Sequence, residues 1–159
     1  MSVLKNAKIS FSVIGGIISI CAGFIAITQY IEHRSRIDIS GEWKMVNVIE
    51  STSYSKYKGL KIRYRIFIDQ DGLDFTAEGE KCWENDEELP TAAHTPISIL
   101  GTIQNNCIKG TVIEEGTRRR TSGFVNWTIS ENHLFMEGTF STTAANTSGR
   151  SQMIKIGNK

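Results

Sequence analysis

Arginine beside an aromatic ring on one strand face is a pairing suited to a phosphorylated, flat-ringed ligand. Arg119 has the same two-residue parity as Val125, Trp127 and Ile129, so its guanidinium and the Trp127 indole belong to one face. The fork of N–H donors suits a phosphate and the indole suits a stacked base. Tyr64 and Arg65 make a second candidate pair, but neighbours on a strand point to opposite faces. At most one of them reaches an enclosed site. Tyr64, Arg65, Arg119 and Trp127 are the expected ligand contacts.

Other reactive side chains are scattered. His33, His94 and His133 show no metal-ligand spacing with the three cysteines Cys21, Cys82 and Cys107, so no metal site is expected. Cys82 and Cys107 read as reduced, buried residues, with a single disulfide as the alternative for an exported chain. Asp69, Asp71, Gly72 and Asp74 place glycine too early for a calcium loop and suit a hairpin turn. No nucleophile–base order, phosphate-loop glycine pattern or paired carboxylates stands out, so neither catalysis nor a cofactor is expected.

Charge is nearly balanced, with Lys+Arg 18 against Asp+Glu 17, which argues against a binder of DNA or RNA polymers. It is unevenly distributed. Lys56, Lys58, Lys61, Arg63 and Arg65 form one basic block and Arg118, Arg119 and Arg120 another. Glu78 to Glu88 holds six acids against one lysine. Ordinary exposed strand faces are the competing explanation for all three blocks.

The elements that must position these groups fall into two parts. Residues 1–36 contain Ile9 to Ile31, twenty-three positions without a charge. As a helix this stretch is about 34 Å long, enough for a bilayer core. It is longer than the apolar region of a signal peptide. Basic residues flank both ends, so the flanks do not set its orientation. Gly15, Ser19 and Gly23 repeat every fourth residue and offer a close-packing face to a second helix in lipid.

From residue 37 to 159 the apolar period becomes two. Leu60 to Ile68 alternates, Asp71-Gly72 turns, and Leu73 to Glu80 returns. Ile97 to Gln104 and Cys107 to Glu114 flank Asn105-Asn106. Thr117 to Ile129 and Leu134 to Thr142 flank Glu131-Asn132. Gly41 to Ile49 and Ser151 to Ile156 complete eight strands. Short connections predict an all-β, eight-stranded antiparallel up-and-down, lipocalin-like barrel preceded by a single N-terminal transmembrane helix, with an open sandwich as the alternative. The longer connections, Ser51 to Gly59, Lys81 to Thr95 and Thr143 to Arg150, all fall on one rim, where a ligand site is expected.

Ile39-Ser40-Gly41-Glu42-Trp43-Lys44 resembles the G-x-W opening strand of lipocalin-like barrels, whose Trp closes one end. A membrane segment followed almost directly by a minimal barrel resembles the small membrane-anchored β-barrel effectors of CBASS, the bacterial cyclic-oligonucleotide anti-phage defence. The resemblance implies a receptor for a cyclic dinucleotide made by a cGAS/DncV-like nucleotidyltransferase. It further implies a homo-oligomer that disrupts the lipid bilayer of the inner membrane, with the barrel in the cytoplasm. Such effectors often carry two membrane helices; here one fits, so assembly would have to supply the others. A membrane-tethered carrier of lipid or another apolar molecule is the alternative, and a tethered interaction or immunity protein a third.

Overall fold

The alternation that begins at Gly41 runs on through nine strands. The computed structural model of the chain describes residues 37–117 and 119–157. The strands are β1 Gly41–Ser51, β2 Lys61–Asp71, β3 Asp74–Glu84, β4 Glu87–Glu88, β5 Thr95–Gln104, β6 Cys107–Glu115, β7 Arg120–Ile129, β8 Phe135–Thr142 and β9 Thr147–Gly157. Every pairing between them is antiparallel.

Eight of these strands close on themselves. β1 pairs with both β2 and β9, and the two-residue β4 is an appendage on β3. The up-and-down barrel is therefore correct and the open sandwich is excluded. Closure leaves the eight long strands without a free edge, which removes the chief route to edge-to-edge aggregation. The expected span Ile9–Ile31, with Gly15, Ser19 and Gly23, lies outside the described residues. Among the described residues no helix is long and apolar enough to cross a membrane.

Toward the floor the inward positions are mostly apolar and fill the barrel rather than leave a bore. Trp43, Met45, Ile66, Ile99, Ile108, Met136 and Met153 are all buried. Trp43 lies toward the end where Ile37 enters, and its indole N–H donates to the Ile39 carbonyl at 2.8 Å. Gln70 ties down the lead-in at that end: its amide donates to the Ile37 carbonyl and its oxygen accepts from the Ile39 N–H, both at 2.9 Å. Trp43 thus closes the floor, as the G-x-W pattern implies.

Several strand limits differ from the alternation-based expectation; β7 begins at Arg120 rather than Thr117, which leaves Arg119 in the preceding connection, and two further shifts reshape the rim. β9 begins at Thr147, so Thr147 to Arg150 is sheet and the last rim connection shrinks to Thr143–Asn146. β3 continues to Glu84 through an irregularity in its register: Tyr64 faces Lys81 and Arg63 faces Trp83, which leaves Cys82 as the extra residue of a bulge. A tight hairpin follows, with Asn85 and Asp86 both at positive φ, leading into β4. Asn and Asp tolerate that conformation, so Asn85-Asp86 was a legible turn signal inside the presumed loop.

Candidate functional site

At the end opposite Trp43, the connections after β1, β3, β6 and β8 surround an open cavity of about 490 Å³. That volume lies within the range of small-molecule sites. The rim is cross-tied. The Ser53 N–H donates to the Ala145 carbonyl at 2.8 Å and the Thr147 hydroxyl donates to the Ala144 carbonyl at 2.6 Å. Ala145 and Asn146 both have positive φ, a conformation costly for alanine and held here by those ties.

Of the four expected ligand contacts, the structure brings two to the mouth. Arg119 lines the cavity from the β6–β7 connection, and Tyr64 lines it from β2. Arg65 does not: it points outward, as its parity against Tyr64 requires, and its guanidinium lies 3.3 Å from Glu42. Trp127 points inward but sits below the cavity, buried in the core, where its indole N–H donates to Ser151 Oγ at 2.8 Å. The shared strand face expected for the two does not apply, because Arg119 lies in the connection just before β7 while Trp127 lies well down that strand. The inward face of Trp127 was legible in the sequence; its depth was not.

The cavity recruits groups that alternation alone did not single out. Lys56 and Tyr57 come from the short 3₁₀ turn Ser55–Tyr57, with the Lys56 ammonium 5.0 Å from the Tyr57 ring centre. An aromatic flanked by lysines in Tyr54-Ser55-Lys56-Tyr57-Lys58 is the signal that could have found them. Lys81 and Glu84 also line the mouth, joined at 2.8 Å, because the bulge at Cys82 turns both inward.

Electrostatically the mouth leans positive. Glu114 is the acid facing it from β6; burial pushes its carboxyl up, Lys81 opposes that shift and Glu84 adds to it. Tyr64 is pushed well above the usual phenol range by burial first, then by the charges of Glu114 and Glu84, against the neighbouring Asn47 side chain. Its hydroxyl therefore stays neutral and able to donate. Asn47 lies one inward step below Ile49 on β1, 5% exposed, and its Oδ1 has no hydrogen-bond partner. An unpartnered buried acceptor costs about 1–3 kcal/mol, so this one needs a reason.

Some members of the other charged blocks are paired within the chain. Arg63 pairs with Asp86, Arg120 with Glu115 and Glu80 with His94. Ordinary surface pairing thus accounts for much of the Glu78–Glu88 block.

Outside the wall, Glu80, Cys82 and His94 place one potential metal-ligand atom each within 4.8 Å of one another. The spacing in sequence showed no such pairing; the bulge and the β3–β5 connection create it. Burial, then the Glu80 charge, raises the Cys82 thiol, offset in part by the backbone N–H and charge of Arg65. Cys82 is buried as expected, but Cys107 is exposed, and neither is in a disulfide. They lie at opposite ends of the barrel, so they cannot be joined within one folded chain.

The sequence matches no protein-family model and has no significant match among curated proteins.

Proposed function

We propose that the mouth of the barrel is a receptor site for a cyclic dinucleotide and that binding is the function, without catalysis. The observation that carries this reading is the meeting of Arg119, Lys56 and Lys81 with Tyr57 and Tyr64 around one open cavity. A cyclic dinucleotide presents two phosphates and two flat bases. Arg119 suits a phosphate as a fork of donors, and the half-exposed Tyr57 ring on the rim suits a base. Tyr57 replaces Trp127 in the stacking role. The Tyr64 hydroxyl lies deeper, where a base edge would find a donor.

In this proposal Ile9–Ile31 anchors the protein in the bacterial inner membrane with the barrel in the cytoplasm. Ligand binding drives homo-oligomerisation, helices pack through Gly15, Ser19 and Gly23, and the bilayer is disrupted during anti-phage defence. A cGAS/DncV-like nucleotidyltransferase supplies the ligand. The alternative, a carrier of an apolar molecule, has less support. Buried Trp43, Met45, Trp127, Met136 and Met153 occupy the space that an acyl chain would need, and the Cys82–Cys107 disulfide that an exported carrier would carry cannot form between opposite ends of the barrel.

Calorimetric titration of the purified full-length protein against a panel of purine and pyrimidine cyclic dinucleotides tests the reading. One or more should bind, and Arg119→Ala should weaken that binding by about tenfold or more, the loss of one charge-assisted hydrogen bond or greater. Arg65→Ala should leave it unchanged. No binding by any panel member, together with a co-purifying lipid, would favour the carrier.

A further inference from the structure

The outer wall beside the mouth carries a second, chemically distinct cluster. Cys82 is the extra residue of the β3 bulge, so its side chain is released from the alternating pattern. The chain then folds back over it. Trp83 pairs with Glu88 and the Leu89 N–H donates to the Cys82 carbonyl at 2.8 Å. The 3₁₀ turn Thr91–Ala93 delivers His94 against the same spot. Cys82 is 3% exposed and the His94 side chain 17%, while Glu80 keeps the site open to solvent.

Hydrogen-bond bookkeeping at His94 is what makes the cluster unusual. Nε2 lies 3.1 Å from the Leu89 carbonyl oxygen, and Nδ1 lies 3.1 Å from Glu80 Oε2. A backbone carbonyl only accepts, and so does an ionised carboxylate. A neutral imidazole has one N–H, and it cannot serve both. With Nε2–H given to Leu89, the Nδ1 position facing the Glu80 carboxylate must hold a positive charge, either a second ring proton or a metal ion. Two N/O ligands of a tetrahedral zinc, each about 2.0–2.2 Å from the metal, sit roughly 3.3–3.5 Å apart. The Nδ1–Oε2 separation is close to that, and the Cys82 sulfur is near both.

The geometry points to a site for a zinc-class divalent ion, ligated by the Glu80 carboxylate, the Cys82 thiolate and His94 Nδ1, with water completing the tetrahedron. The donor set of sulfur, nitrogen and oxygen suits a borderline ion better than magnesium or calcium. The Nε2–H···Leu89 bond is the outer-shell contact that fixes the tautomer a metal-binding histidine needs. Binding displaces the Cys82 thiol proton to solvent; no oxidation is involved. Lys81 and Thr95, just inside the two ends of this connection, both line the mouth. A metal joining Cys82 to His94 therefore clips the longest rim connection to the wall.

Cobalt(II) is the test probe, added at one equivalent to chelator-stripped full-length protein. A thiolate-to-cobalt charge-transfer band with tetrahedral d–d bands is expected. Cys82→Ser should abolish the charge-transfer band and Cys107→Ser should leave it. His94→Gln should weaken cobalt affinity by about tenfold or more, since even outer-shell losses have that effect. His94→Gln also serves as the informative variant if Cys82→Ser misfolds, which circular dichroism reports. Absence of the band in the wild type would overturn the site and leave His94 and Glu80 as a hydrogen-bonded pair on the outer wall. So would its persistence in Cys82→Ser, or cobalt affinity unchanged in His94→Gln.

Discussion

Glu114 shows how one side chain would tie the proposed ligand binding to stability. Its carboxyl is raised because burial in the mouth disfavours the charged form. The folded barrel therefore holds the Glu114 proton more tightly than the unfolded chain. The sign follows from linkage: this residue's contribution is most favourable below the ordinary glutamate range and is lost as pH rises through its raised value. An anion bound beside it raises it further, so binding takes up protons and weakens as pH rises. Glu114→Gln should raise the unfolding midpoint at neutral pH. It should also strengthen cyclic-dinucleotide binding and flatten its pH dependence in titrations run in buffers across that range. Tyr64 could be found from parity alone, whereas Arg119 reaches the mouth from the connection before β7. Asn47 could not, since a lone polar residue between Met45 and Ile49 looks the same whether its amide is paired or, as here, has an unpartnered oxygen.

At the scale of strands, the curvature needed to close eight of them depends on glycines where backbones cross closely. Gly138 on β8 faces Trp127 on β7 and Ser151 on β9, and a Cβ there would lie 1.8 Å from the Asn126 carbonyl oxygen. Backbone cannot yield as a side chain can. Gly138→Ala should destabilise the barrel by about 3 kcal/mol or more, at the upper end of overpacking effects, in urea unfolding. Gly110→Ala is the comparison. Its new methyl meets side-chain carbons of Ile99 and Val125 at 2.7 and 3.2 Å, which can partly move aside, so about 1 kcal/mol is expected. Hairpin turns such as Asp71-Gly72 were legible because positive φ restricts the residue types allowed; Gly72 has φ 64°. The bulge at Cys82 was not, because it is an accommodation between two strands and neither carries its signature alone.

For the whole molecule, the proposed coupling of barrel to membrane predicts separable defects. Gly15→Leu with Gly23→Leu should block growth arrest on ligand production while leaving ligand affinity unchanged. Growth curves and titration of the same variant check both arms. Loss of binding in that variant would refute their independence. By itself the sequence determined the eight strands of the barrel, the order of their hairpins, the inward face of most of them and the floor position of Trp43. All of these follow from local alternation and turn chemistry, which operate within about ten residues. Only the tertiary structure decided that β1 meets β9, that Arg119 shares a mouth with Lys56 and Tyr57, that Trp127 lies too deep to join them, and that His94 reaches Cys82. Those are relations across the barrel, set by closure, shear and a bulge, and no single segment carries the energy that fixes them.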